Sequence, residues 1–188
     1  MIGNPSVHAS AVLVGDRAVL IRGPSGSGKS RLAFDLVLAG RAGYLPKAIL
    51  VGDDRVHLDT AGEQLWVRPA PELAGLLEIR GLGIRHCAFT TEAVVGLVVD
   101  LAAGDAERLP PPEALQCRVY GVLLPRIPVG VGFEPLPLVV AALTTTESSC
   151  PRNIMANCAK DISNHMPSTI ASDLVGAASH LYRQEPGD

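Results

Sequence analysis

Aromatic residues are scarce in this chain. They make up 4% of its 188 residues, with a single tryptophan. The core must therefore be built from Leu, Val, Ala and Ile, which suits a buried, partly parallel sheet with helices packed on it. Charge is low as well, at 19% Asp, Glu, Lys and Arg against 47% hydrophobic residues. The formal net charge is −3, and there is no basic run and no set of aromatics spaced for base stacking. A nucleic-acid partner is therefore not expected. The four cysteines, Cys87, Cys117, Cys150 and Cys158, form no C-x-x-C pair. That argues against a zinc site and fits reduced thiols in a cytosol. No apolar run reaches membrane-spanning length, and Met1-Ile2-Gly3-Asn4-Pro5 begins no basic-then-apolar leader. The expectation is a soluble cytoplasmic protein without a membrane partner, of one domain or one domain with an appendage.

What the chain does have is Gly23-Pro24-Ser25-Gly26-Ser27-Gly28-Lys29-Ser30. This is the P-loop pattern. Glycines let the backbone turn tightly and bring several N–H groups to bear on one anion. The following helix aims its positive end at the same point. In such a loop Gly23, Pro24, Ser25, Gly26, Ser27 and Gly28 wrap the phosphates of ATP, Lys29 reaches the β- and γ-phosphates, and the Ser30 hydroxyl ligates Mg²⁺. The flanks agree with this. Residues 17–22 read as a strand, and residues 31–38 as a helix with Gly40 as its C-cap. Residues 7–14 read as a strand that returns through Gly15-Asp16 into the P-loop strand as an antiparallel hairpin. His8 heads that strand, and spacing alone assigns it no function.

Residues 47–52 form a short apolar strand ending in Asp53-Asp54. Downstream of a P-loop, this is the place of a Walker-B carboxylate. One acid would hold Mg²⁺, directly or through water, and a second would take a proton from an attacking hydroxyl. An ordinary strand-end turn would look the same in isolation; the P-loop upstream favours the functional reading. Residues 55–59 and 63–68 alternate in polarity and form a hairpin about Thr60-Ala61-Gly62, with His57 on the polar face. Pro69-Ala70-Pro71 breaks the second strand. In Leu77-Glu78-Ile79-Arg80-Gly81-Leu82-Gly83-Ile84, Glu78 and Arg80 share one face if the segment is extended. Two readings stay open there: a metal carboxylate beside a phosphate-holding arginine, or a salt-bridged surface strand. Residues 92–101 read as a strongly apolar strand, 100–112 as a polar loop with Glu107-Arg108, and 118–124 as another strand. Residues 125–132 read as a Pro/Gly loop with Arg126 as its cation, and 136–143 as a helix. From Thr144 the chain turns polar, and residues 168–184 regain helical spacing. The domain reading is a P-loop catalytic kinase domain over 1–143, with a linker and C-terminal helical tail over 144–188.

The order of His8, the GPSGSGKS loop, Val51-Gly52-Asp53-Asp54-Arg55-Val56 and the LEIRGLGI run resembles the catalytic domain of HPr kinase/phosphorylase, the bacterial serine kinase of the phosphotransferase system. LEIRGLGI is the most specific of these motifs. The resemblance covers residues 7–140 and is to the short form known in alphaproteobacteria, which lacks the family's N-terminal domain. It implies an α/β fold: a P-loop kinase domain with a mixed, partly antiparallel sheet, as in HPr kinase and PEP carboxykinase. It implies an enzyme that uses ATP and Mg²⁺ to phosphorylate a serine of HPr or an HPr-like carrier in the regulation of carbon metabolism. The same site would remove that phosphate with inorganic phosphate as acceptor, releasing pyrophosphate. Asp54 matches the proton acceptor of the kinase direction and the proton donor of the reverse. Lys29 and His8 match catalytic positions, Arg108 the catalytic arginine, and Ser30 and Glu78 the Mg²⁺ ligands. Asp53 stands beside these as a further metal candidate, and Arg80 as a phosphate contact. A homo-oligomer is implied too, since the family forms hexamers. Where relatives carry a more basic loop with a Gly-Arg-Asn run, this chain has Pro125-Arg126-Ile127-Pro128-Val129-Gly130-Val131-Gly132-Phe133-Glu134; in the family that loop is tied to dephosphorylation. Two other readings are a P-loop kinase of a small metabolite and a nucleotide-gated regulatory module with little turnover. Retention of Asp54, Glu78 and Lys29 argues against the second.

Overall fold

The computed structural model describes residues 5–146; the helix expected over 168–184 lies outside them. In chain order the strands are β1 (Val7–His8), β2 (Ser10–Val14), β3 (Arg17–Arg22), β4 (Ala48–Gly52), β5 (Arg55–Ala61), β6 (Gln64–Pro69), β7 (Leu76–Ile79), β8 (Gly83–His86), β9 (Ala93–Leu101), β10 (Gln116–Val119) and β11 (Val122–Val129). Helix α1 (Lys29–Arg41) follows β3, and α2 (Pro135–Thr144) follows β11.

Strand β3 is the spine. Ala18, Val19, Leu20 and Ile21 are all buried. Val19 and Ile21 join one core cluster, Ala18 and Leu20 the other. A strand covered on both faces carries no polar alternation, which is how its sequence reads. The large sheet has the order β1-β5-β6-β9-β3-β2-β4, with β11 also on β9 and β10 on β11. It is mixed: β3–β9 and β9–β11 are parallel, and the remaining pairs are antiparallel. The hairpin expected ahead of the P-loop is present, with Val14 opposite Arg17.

Helix α1 buries Leu32, Ala33, Leu36 and Val37, positions spaced to form one stripe. The stripe packs with Val19, Ile21, Leu50 and Val99, and α2 adds Val139 to the same cluster. The opposite face joins Leu20, Val51 and Val98 to Leu58, Leu65 and Val67 of the β5–β6 hairpin and to Leu124 of β11. Leu32 and Leu36 are fully covered, and truncating either to Ala would cost about 2–5 kcal/mol.

Four elements differ from the sequence reading. The expected strand 7–14 breaks at Ala9, so that β1 pairs with β5 while β2 pairs with β3 and β4. Gly40 is not the cap of α1: the helix runs to Arg41 and ends on Ala42. Gly40 is needed instead where α1 crosses β4, because a Cβ there would sit 2.7 Å from the Cβ and the nitrogen of Ala48. The LEIRGLGI run is not one extended strand. It folds as the β7–β8 hairpin with Arg80, Gly81 and Leu82 in the turn, which takes Arg80 off the strand face of Glu78. Finally, residues 116–129 form a hairpin, not a strand and a loop. Its two-residue turn, Tyr120-Gly121, has φ of 48° and 85°, as the twist of a tight hairpin demands. Strand β11 then continues through Pro125 and Pro128. It changes partner on the way, from β10 over Val122–Pro125 to β9 over Arg126–Val129. Proline is tolerated where no ladder donor is required.

Candidate active site at the P-loop

The P-loop spans the gap between the end of β3 and the start of α1. Gly26 and Gly28 have φ of 78° and 95°, and a Cβ on either would meet nothing within 4 Å. The loop therefore faces open space. At Gly23 the reverse holds: a Cβ would lie 2.7 Å from Ser27 Oγ and 2.9 Å from the Leu101 carbonyl oxygen. No side chain caps α1, and no acid occupies its first turn, so its leading N–H groups lack intrahelical acceptors. Ser27 Oγ is buried and has no partner. Uncommitted donors and an orphaned hydroxyl around a glycine concavity suit a phosphate group. Lys29 is buried, at 6% exposure, and its Nζ donates to the carbonyls of Gly23 at 3.0 Å and Pro24 at 2.9 Å. Burial lowers its pKa below the ordinary lysine value, and the charges of Asp53 and Asp54 work against that. Those acids thus lie within electrostatic reach of the P-loop lysine.

The two acids at the end of β4 have opposite surroundings. Asp53 is 3% exposed. Ser10 Oγ donates to its Oδ1 at 2.5 Å, and the Glu78 N–H donates to its Oδ2 at 3.3 Å. Asp54 takes a left-handed backbone, φ 61°, which Asp tolerates better than most residues. Its side chain is 63% exposed, with Oδ1 3.4 Å from His8 Nε2. The β1–β5 register places His8 opposite Arg55, next to Asp54. This pairing is why a histidine distant in sequence arrives beside the acid.

The structure thus brings Lys29, Asp53, Asp54, His8 and the backbone of Glu78 together. The Glu78 side chain is exposed on β7, and Ser30 lies in the first turn of α1. Arg80 sits exposed in the β7–β8 turn, and Arg108 exposed between β9 and β10. Neither has a side-chain ion pair to the cluster among the described residues. No group of three His, Cys, Asp or Glu able to hold a metal occurs among those residues. A Mg²⁺ bound with a nucleotide needs fewer protein ligands, because phosphates and waters complete its shell.

Sequence reasoning did not single out an ionic network beside the loop. Arg22, the residue before Gly23, donates from Nε and Nη2 to the two oxygens of Asp100, each at 2.7 Å. Arg126 Nε donates to Asp100 Oδ2 at 2.6 Å. Its Nη1 and Nη2 donate to Asp105 at 2.6 and 2.9 Å, and Nη1 also to the Ala114 carbonyl at 3.0 Å. Burial works to raise the Asp100 pKa, but the hydrogen bonds from Arg22 and Arg126 outweigh it and hold it below the ordinary carboxylate value. The readable signal was charge inside strongly apolar strands, at Arg22 and Asp100.

Comparison with known proteins adds the family. The profile of the HPr Serine kinase C-terminal domain matches residues 2–110. The HPr kinase/phosphorylase of Geobacillus kaustophilus is 41% identical over 111 residues, covering 55% of this chain and 33% of that protein. The HPr kinase/phosphorylase of Neisseria meningitidis is 34% identical over 151 residues, covering 72% of this chain and 45% of that protein. This chain spans less than half the length of either relative. The structure of the Hpr(Ser) kinase/phosphatase from Coxiella burnetii aligns with a TM-score of 0.59 at 24% identity, covering 82% of this chain and 99% of that one, a likeness of fold. The profile match takes in the P-loop, the acid pair and the LEIRGLGI hairpin in one stretch of more than half the residues, and on that ground the chain belongs to the HPr Serine kinase C-terminal domain family.

Proposed function

We propose that this domain is an ATP- and Mg²⁺-dependent serine kinase acting on HPr or an HPr-like phosphocarrier, with residues 1–143 as its catalytic unit in a P-loop kinase fold. One observation carries the proposal: the exposed Asp54, paired with His8, stands within electrostatic reach of a buried P-loop lysine. A proton acceptor beside a phosphate cradle is what transfer to a hydroxyl requires.

In this reading Gly23 to Gly28 enclose the phosphates, and Lys29 exchanges its two loop carbonyls for phosphate oxygens. Bound Mg²⁺ supplies charge neutralisation on those phosphates. Ser30 and Glu78 would hold it, with Asp53, whose oxygens already accept hydrogen bonds from Ser10 and the Glu78 N–H, as a further candidate. As the serine oxygen bonds to the γ-phosphorus, its proton passes to Asp54 and ADP departs. His8 orients the Asp54 carboxylate. Arg80 and Arg108 steady the transferring phosphate from the surrounding loops. Running the same steps backward with phosphate as acceptor gives pyrophosphate. Assembly into a homo-oligomer and a cytoplasmic setting complete the proposal; no helix among the described residues is long and apolar enough to cross a membrane.

The experiment is incubation of the purified chain with ATP, Mg²⁺ and an HPr-type carrier, read by intact mass. One phosphate added to the carrier, and none when its acceptor serine is Ala, supports the proposal. Nucleotide binding with no mass shift on the carrier overturns it, and turnover with a small hydroxyl compound alone would redirect it to a metabolite kinase.

A further inference from the structure

We infer that Asp105 and Arg126 are positioning residues for the reaction: they clamp the segment between β9 and β10 that carries Arg108 to the end of the sheet where the P-loop begins. The inference rests on the proposed role of Arg108.

The geometry points this way at several places. Arg126 grips the segment on both sides of Arg108, through the Asp105 carboxylate before it and the Ala114 carbonyl after it. Its Nε is spent on Asp100, which Arg22 holds from the other side. The same guanidinium is therefore tied to the residue that opens into Gly23. The segment leaves β9 sharply, with Ala102 at φ 56°, and the Ala103 N–H donates to the Val129 carbonyl at 2.9 Å. Closing the sheet would need only Arg22, Asp100 and Arg126. Asp105 adds nothing to that closure, since its side chain is 53% exposed and it lies beyond the strand. Its contribution is to the path of the loop. The Arg126 side chain is 13% exposed, so its charge is shielded from water, and its planar fork matches a carboxylate in a way an ammonium does not.

Asp105→Asn tests this without disturbing the sheet, because Asp105 is itself exposed and Arg126 keeps its bonds to Asp100 and the Ala114 carbonyl. Transfer to an HPr-type carrier, nucleotide affinity and thermal midpoint are measured for wild type, D105N, R108A and the double variant. The expected result is a kcat lowered about 10- to 100-fold in D105N, with nucleotide affinity and midpoint unchanged. In an R108A background D105N should lower kcat no further, because its effect passes through Arg108. R126K should repeat the D105N loss, since Lys cannot bridge Asp105, Ala114 and Asp100 together. Wild-type kcat in D105N alongside an impaired R108A overturns the clamp. So do losses that multiply in the double variant. Wild-type kcat in R108A overturns the inference at its premise, and so separates failure of the Arg108 assignment from failure of the clamp.

Discussion

Asp53 and Asp54 are neighbours of identical chemistry, and their surroundings separate them. Asp53 is enclosed and accepts from Ser10 and the Glu78 backbone, whereas Asp54 is turned outward onto His8. The sequence pointed to the pair from its place after an apolar strand. It could not say which acid was buried, because the deciding hydroxyl lies 43 residues away. Asp54→Asn should lower transfer by about 10²-fold or more while nucleotide affinity is kept. Asn accepts the left-handed backbone at this position as readily as Asp, so a carrier-phosphorylation assay paired with a nucleotide titration reads chemistry rather than folding. Asp100 gives a prediction in pH. Its folded pKa lies below the ordinary 3.8 because Arg22 and Arg126 outweigh burial. The stabilisation is present above that value and fades as the pH falls below it toward the folded pKa. Urea unfolding of Asp100→Asn should therefore show a shallower loss of stability below pH 3.8 than wild type does. An equal acid slope in the two proteins would remove Asp100 as the source.

At the scale of elements, local signals were read well and long-range ones were not. The P-loop strand and helix, the β5–β6 hairpin and α2 follow from period and turn chemistry within a few residues. The β7–β8 hairpin was hidden because its turn, Arg80-Gly81-Leu82, carries Leu where a second polar turn residue would have marked it. Strand β11 was hidden because two prolines look like a loop; what permits them is the exchange of partner between β10 and β9, a fact of topology. Gly40 was misplaced for a similar reason, since the residue that requires it is Ala48 on another element. Helix propensity alone favours Ala over Gly by about 1 kcal/mol. Gly40→Ala should nonetheless destabilise, by about 1–3 kcal/mol, because the new methyl enters the α1–β4 contact. A thermal midpoint equal to or above wild type would show that the helix can move aside.

At the scale of the molecule, the fold sets the P-loop and the acid pair at one end of a mixed sheet and carries β11 to the same neighbourhood. The loop after β11 contains no cation from Val129 to Glu134. Phosphorolysis must draw a second dianionic phosphate toward a phosphorylated serine, and a loop without a cation gives that approach little help. The forward reaction should therefore exceed the reverse under matched concentrations, by about 10-fold or more, a difference of about 1.4 kcal/mol in barrier. Initial rates of carrier phosphorylation and of pyrophosphate release measure this ratio directly.

The double burial of β3 has a consequence on the scale of time. Amides of Val19 to Ile21, hydrogen-bonded and covered on both sides, lie in the part of a fold that opens only with global unfolding. A few residues on, a Cβ added at Gly26 or Gly28 would meet nothing within 4 Å, so the loop backbone there is uncovered. Deuterium uptake should thus change abruptly between neighbouring peptides, hours on one side and seconds on the other. A nucleotide seated in the loop would slow the fast side and leave the slow side as it was, reporting occupancy even in a variant that turns nothing over.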